Sequence, residues 1–478
     1  MKNIGRVAEA DIEINGIAVI AGENGTGKST VGKALYAAFN SMSDSENKID
    51  RMRRNSVERA IRKAYVGSPL DSTSRHRRTA GRMNSFIDRV FSGECTRDEL
   101  IDEIKEYYGE EISREIESDF TNGVAGVADQ IIEIMDISDD EVFRAIATNR
   151  FRSEFNGQIN SVFGEEPGKV ELQIKDASTV FSVASDEVAE VHDRRVLRFR
   201  AHYLDDPFLI DSLGGPYGPA FRFKPLLGHQ EELRQDLIQA TIRNDDSESS
   251  LFEEIAKERH LKVLMDKVSS LCPGHFERSE SRGHLTYLEE GFARGLEPGN
   301  LSAGLKTFAI MKVLLKSGAL DAGGTIILDE PEIHLHPAWQ LAFAEIIVLL
   351  QKELGMHVLM STHSPYFLNA IEVYSKKHAV DGLCSYYLAE TCTDGRSRFA
   401  DITGSTEVAY EKLAAPFDTL EREEYGLEWR PVRLLPSSEL SRGARWQRWL
   451  LPLQDLYPKG LHVDHLQNIQ RRERLSCG

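Results

Sequence analysis

The sequence has few cysteines and no arrangement of them that could staple a fold. Cys95, Cys272, Cys384, Cys392 and Cys477 are scattered, odd in number and without a C-x-x-C pair. That excludes a disulfide framework and a zinc knuckle, and it points to a reducing compartment. No apolar run approaches the roughly 20 residues that a spanning helix needs; "FAEIIVLL" is typical. The opening "MKNIGRVAEADIEING" has no apolar signal core, so a cytoplasmic protein with no membrane attachment is expected. Positive charge is in deficit as well, with 58 Lys and Arg against 76 Asp and Glu and a net charge of −18. A surface that binds nucleic acid throughout is thereby excluded, and any such contact must be concentrated in a patch. Sustained heptads are missing too. "DELIDEIKEYYGEEISREIESDF" has helical apolar spacing, but the pattern does not persist, which excludes long coiled-coil arms and leaves a compact helical cap.

What the chain does have is length and one telling glycine-rich turn. Its 478 residues are enough for two or three units of about 150 residues each. Near the start, "IAVIAGENGTGKSTVGKALYAAFN" runs from a short β-type segment through the turn into a helix-compatible segment. Residues 22–29 fit G-x-x-x-x-G-K-[ST], the phosphate-binding loop. Its glycines let the backbone curl so that N–H groups face phosphate oxygens, and the helix N-terminus adds favourable potential. Gly22, Asn24, Gly25, Thr26, Gly27, Lys28, Ser29 and Thr30 are therefore expected to cradle a nucleoside triphosphate. Lys28 would reach the outer phosphates and Ser29 a magnesium ion. A flexible glycine turn ahead of a helix is the alternative, and the strand-then-helix context argues against it.

A second stretch, "TIILDEPEIHLHPAWQ" at 325–340, runs from an apolar segment into Asp329, Glu330, Glu332, His334 and His336. Zinc ligation by E-x-H-x-H is one reading. Residues two apart reach one ion only from a strand or a fixed loop, however, and Pro331 and Pro337 interrupt any strand. Beside a phosphate loop the stretch reads differently. "TIILD" becomes a buried strand that delivers Asp329 to magnesium, and Glu330 polarises the attacking water. Both acids can face one site only if the strand stops between them, and Pro331 is well placed to stop it.

Three further stretches give the phosphate loop a family. "NLSAGLKTFAIMKVLL" at 300–315 opens a helix with Ser302, Gly304 and Lys306; "HVLMSTHSPYFLNAI" at 357–371 carries His363 in a turn after a β-type run; "FNGQINSVF" holds Gln158 between the phosphate loop and Ser302. Together they resemble an ABC-type ATPase of the OLD-like and SMC-like branches, whose signature has the S-x-G-x-K form. "GKALYAAFNSM" and "DEPEIHLHP" are most similar to the Septu-type antiphage defence ATPase subunit, PtuA, including retron-associated forms. The resemblance implies an α/β fold, an ABC-type P-loop ATPase head with a helical insertion and no long coiled coil. It implies ATP and Mg2+, with Asp329 and Ser29 on the metal, Glu330 catalytic, His363 on the γ-phosphate and Gln158 in the Q-loop. Ser302 and Gly304 would bind the nucleotide of a second copy, so that ATP closes a head-to-tail homodimer. His334 and His336 would then shape the dimer seam and would not be zinc ligands.

The implied organisation is a first lobe at 1–45, a helical insertion at 46–150, the remainder of the head at 151–415 and an extension at 416–478. Residues 51–89 hold eleven Arg or Lys against three Asp or Glu, which fits a groove for DNA or RNA backbone, a docking face for an acidic partner, or a solvated helix. In the extension, "GLHVDHLQNIQRR" has the V-D-H of an HNH nuclease without the rest of its pattern; a partner-binding tail or a poorly ordered extension fits better. Septu-type ATPases act with a separate HNH nuclease, and the resemblance implies such a partner. The alternative is a DNA-repair or chromosome-type ABC ATPase acting directly on DNA.

Overall fold

Short segments, apolar in the central strands and mixed toward one edge, assemble into an eleven-stranded sheet. The computed structural model describes residues 1–64, 85–91, 95–108, 117–213, 228–242, 251–278 and 285–425. The second half of the basic stretch, 65–84, and nearly all of the tail, 426–478, lie outside the described residues. By its contacts the chain divides into two compact units, 1–415 and 416–478, and the sheet belongs to the first.

The strands are β1 (Lys2–Ile4), β2 (Val7–Glu9), β3 (Ile17–Gly22), β4 (Gly168–Ile174), β5 (Ala177–Ala184), β6 (Glu187–His192), β7 (Ala201–Leu204), β8 (His275–Arg278), β9 (Leu285–Leu288), β10 (Thr325–Asp329), β11 (His357–Thr362), β12 (Cys384–Thr391) and β13 (Ser397–Asp401). Their order in the large sheet is β6-β5-β4-β1-β2-β13-β12-β3-β11-β10-β7, while β8 and β9 form a separate hairpin. Strands β12, β3, β11, β10 and β7 are parallel neighbours. Strands β6, β5, β4, β1 and β2 are antiparallel neighbours.

The helices are α1 (Lys28–Met42), α2 (Ser45–Ala64), α3 (Arg97–Tyr108), α4 (Glu117–Asp136), α5 (Asp139–Phe155), α6 (Gly228–Ile242), α7 (Leu251–Leu271), α8 (Ala303–Lys316), α9 (Pro337–Leu354), α10 (Pro365–Lys377) and α11 (Glu407–Tyr425). They cover both faces of the parallel strands, and for that reason Ile326, Ile327 and Leu328 are apolar in succession instead of alternating. Ile326 and Leu328 enter the larger core with Phe308, Phe343 and Ile347, while Ile327 enters the opposite core with Val31, Tyr36 and Tyr203. Each fully buried side chain of this size contributes about 1.5–3 kcal/mol relative to exposure.

Helices α2, α3 and α4 share a small core of their own, built from Val57, Ile61, Ile104, Val124 and Ile131. Residue 150, the end of the insertion read from the sequence, falls inside α5. Phe143, Ile146 and Phe151 of α5 pack with Val170 and Phe181 of the antiparallel strands and with Ala34 and Ala37 of α1. A capping box between Ser138 and Glu141 starts α5, satisfying two of the N–H groups a helix start leaves free. The chain is thus the α/β phosphate-loop head with a helical insertion that the sequence leads one to expect, and its longest described helix has 21 residues.

Candidate active site

The carboxyl ends of β3, β10 and β11 lie side by side, with Thr362 opposite Ala21 and Asp329 opposite Ser361 in register. Ligands of open α/β sheets sit at this edge. Strand β3 ends at Gly22 and α1 begins at Lys28, so the five residues between them must turn the chain. Gly25 (φ 79°) and Gly27 (φ 81°) make that turn in the left-handed region, which costs an L side chain about 1–2 kcal/mol. Asn24 is exposed, and the Thr26 hydroxyl donates to the Glu23 carbonyl at 2.8 Å. Ser29 and Thr30 are half-buried in the first turn of α1. Arg6 donates to the Gly25 carbonyl at 3.3 Å, setting a guanidinium at the rim of the loop.

The Lys28 ammonium is 4% exposed and donates at 2.9 Å to the carbonyls of both Gly22 and Glu23. It also lies 3.2 Å from Glu330 Oε1. Strand β10 ends between the two acids, as read from the sequence, but the turn is made by Glu330 itself and not by Pro331. Glu330 has φ 47°, which swings its side chain off the alternation of the strand and toward Lys28. Its N–H is held by the Ser361 carbonyl at 3.2 Å and the Ser361 hydroxyl at 3.0 Å. Left-handed backbone at a non-glycine residue costs about 1–3 kcal/mol and is typical of functional positions.

Asp329 accepts from two hydroxyls, Ser361 on Oδ1 and Tyr203 on Oδ2, the latter at 3.1 Å. Lys28, Tyr203, Asp329 and Ser361 line one crevice. His363 follows β11 with Nδ1 3.5 Å from Glu330 Oε1 and 3.8 Å from Glu332 Oε1. Glu332 is buried, accepting from the Thr362 hydroxyl at 2.5 Å and the His363 N–H at 3.3 Å. Burial raises its carboxyl above the usual carboxylate range.

A left-handed, glycine-turned loop with a buried lysine suits a polyphosphate, and a carboxylate fixed through both oxygens beside it suits a hard divalent cation. The donor set therefore fits ATP with Mg2+. Lys28, Asp329, Glu330 and His363 come together in this region, with Ser29 and Thr30 following Lys28 in the first turn of α1.

A family model described as "AAA domain, putative AbiEii toxin, Type IV TA system" matches residues 71–369, a span that takes in Asp329, Glu330 and His363. The chain belongs to this family. Among curated proteins, the "Retron Ec83 probable ATPase" of Escherichia coli is 26% identical over 190 residues, 37% of this chain and 33% of that protein. The chain therefore spans about a third of the length of that relative. Among solved structures, an Smc head bound to the C-winged helix domain of ScpA aligns at TM-score 0.36 and 12% identity, over 85% of this chain and 97% of that one. An ATP-binding cassette of an ABC transporter in its ADP conformation aligns at TM-score 0.21 and 11% identity, over 52% of this chain and 78% of that one.

The other residues singled out from the sequence make local contacts. Gln158 is exposed after α5, beside a segment in which Ile159 pairs with Gly5. Ser302 is exposed and caps α8, its hydroxyl accepting from the Leu305 N–H at 3.4 Å. Gly304 lies so close to Trp339 that a Cβ there would come within 2.7 Å of the indole. Lys306 is buried, 2.6 Å from Asp211 and 4.6 Å from the centre of the Phe208 ring. His336 caps α9 by accepting from the Ala338 N–H, and His334 meets Phe208 edge-on, so each histidine has a local partner unrelated to a metal. In the described part of the basic stretch, Arg51, Arg53, Arg54 and Arg62 pair with Asp44, Asp139, Asp88 and Glu58. That leaves less free positive charge than the sequence alone suggests. No described helix is long and apolar enough to cross a membrane.

Sequence reasoning missed Tyr203 and Ser361 as partners of Asp329, and Arg6 at the loop. Ser361 had a signal, since it stands two residues before His363 in "MSTHS". Tyr203 had none, because its role depends on β7 pairing with β10.

Proposed function

We propose that this chain is an ATP-binding and ATP-hydrolysing subunit of an antiphage defence complex, closing as a head-to-tail dimer around ATP and Mg2+ and controlling a separate HNH-type nuclease. The observation that carries the ATPase reading is the 3.2 Å contact between Lys28 of the phosphate loop and Glu330, the residue after Asp329. It supports Glu330 as the general base, next to the lysine that would hold the outer phosphates. Gly22 to Thr30 would bind the phosphates, and Ser29 and Asp329 would hold the magnesium ion, which supplies charge neutralisation on the phosphates. Glu330 takes a proton from the attacking water. His363, 3.5 Å from Glu330, would contact the γ-phosphate. Ser302 and Gly304 would reach the nucleotide of a second copy, with His334 and His336 near the seam, and Gln158 would serve as the Q-loop glutamine.

The defence role is supported by the retron-named relative and by the sequence resemblance. Co-purification of the tagged chain with its native neighbouring genes, with and without ATP, tests it. An HNH nuclease that co-elutes in a nucleotide-dependent manner is the expected result. Recovery of DNA alone, with ATPase stimulated by bare duplex and steeply weakened by salt, would replace it with a DNA-acting ATPase.

A further inference from the structure

Behind Asp329 lies a set of buried polar side chains that phosphate binding and water activation do not use. Tyr203 is 1% exposed, and its hydroxyl is the donor to Asp329 Oδ2. Its ring lies against the imidazole of His229, with centres 4.3 Å apart and planes at 20°. The His229 side chain is fully buried at the start of α6, with Nδ1 2.5 Å from Glu154 Oε2 and Nε2 3.0 Å from Asp205 Oδ2. Its backbone N–H donates to the other Glu154 oxygen at 2.9 Å. Gln230 donates to both oxygens of Asp205 at 3.1 Å. From α1, Tyr36 meets the imidazole edge-on at 5.8 Å and donates to Glu232, which is paired with Arg150.

The imidazole is hydrogen-bonded to Glu154 through Nδ1 and set against the Asp205 carboxylate on its Nε2 side, which restricts its rotation. Burial works against its charge, but hydrogen bonds to Asp205 and Glu154 raise its pKa to about 9, so at neutral pH it is a cation against the face of a phenol, an attractive arrangement. The stack fixes the Tyr203 ring and therefore the direction of its O–H. Asp329 thus has one oxygen held by Ser361 from β11 and the other by Tyr203 from β7.

We propose that Tyr203, clamped by His229 through Glu154 and Asp205, is a positioning residue for Asp329. Its hydroxyl fixes the orientation in which the carboxylate receives the divalent ion. The proposal rests on the reading of Asp329 as the metal-binding acid of an ATPase. Partners that orient a ligating carboxylate typically matter 10–100-fold in metal affinity or activity.

The test uses the full chain as wild type, Tyr203→Phe and Asp329→Asn. Tyr203→Phe keeps the ring on His229 and removes only the hydroxyl. Two quantities are read: the increment in Tm that Mg2+ adds to a non-hydrolysable ATP analogue over the analogue with EDTA, and the Mg2+ concentration for half-maximal ATP turnover. In Tyr203→Phe the analogue alone stabilises as in wild type, the Mg2+ increment shrinks by more than half, and the Mg2+ requirement rises on the order of 10-fold. If Asp329→Asn loses both Mg2+ responses while Tyr203→Phe keeps both at wild-type level, the positioning role is overturned and the ATPase reading stands. Loss of stabilisation by the analogue alone in Tyr203→Phe would also overturn it, since the hydroxyl would then support the site as a whole. If Asp329→Asn retains the wild-type Mg2+ responses, the metal reading falls and takes this inference with it.

Discussion

Glu330 is the proposed general base. Its left-handed backbone turns its carboxylate toward Lys28 and His363, which a continued strand could not do, because the next side chain would face the opposite core. The substitution Glu330→Gln keeps shape and hydrogen bonding but removes the proton acceptor. Steady-state assays should show ATP turnover lower by about 10²–10⁴-fold with nucleotide binding retained. Normal turnover in this variant would remove Glu330 from the mechanism. The sequence placed Glu330 and His363 near the site, because each follows a β-type run that ends at the sheet's carboxyl edge. The sequence could not show that Glu332, two residues on, is buried under His363, since burial of a carboxylate depends on Thr362 arriving from the neighbouring strand.

At the scale of the element, the join between α8 and α9 governs how Ser302 is presented. Gly304 meets Trp339, and Phe308 meets both Trp339 and Phe343 edge-on. The glycine is thus required for the close approach of the two helices. Gly304→Val should destabilise the fold by about 1–3 kcal/mol through overpacking, seen as a lower denaturant midpoint, and should weaken any ATP-dependent dimer in size-exclusion chromatography. An unchanged midpoint would show that α8 can move away without cost. The start of α8 was legible as Ser302, whose side chain accepts from the third N–H of the helix; the matching cap of α10 by Ser364 emerged only with the structure. The tight packing behind Gly304 was not legible, because Trp339 is 35 residues away and reaches it only once α9 has folded back across the core.

Over the whole molecule, two ionic clusters, one around buried His229 and one around buried Glu345, are expected to shape the pH dependence of stability. His229 has a folded-state pKa of about 9, above its ordinary 6.5. Its contribution is complete below 6.5 and is lost as pH rises through 9. Glu345 of α9 is opposed by burial, but hydrogen bonds from Lys267, Lys377 and His378 bring its carboxyl down to about 2. Its contribution is complete above its ordinary 4.5 and is lost as pH falls toward 2. Thermal unfolding should therefore show Tm declining at both ends, between 6.5 and 9 on the alkaline side and below 4.5 on the acid side. A Tm flat from pH 6.5 to 9.5 would contradict the charge assigned to His229. Glu345 ties α7 and α10 to α9, so its loss should loosen the larger core first.

By itself the sequence determined the phosphate loop, the strand ending in Asp329 and the helix start at Ser302. These are contiguous motifs in which glycines, caps and apolar runs specify backbone shape locally. Tertiary structure alone decided which residues stand behind those motifs. Tyr203, Asp329 and Ser361 meet because β7, β10 and β11 pair in parallel register across long crossovers, and Glu154, Asp205 and His229 meet because α5 and α6 pack beside them. Strand order and burial are properties of the whole chain, set by how helices cover both faces of one sheet, and no local spacing encodes them.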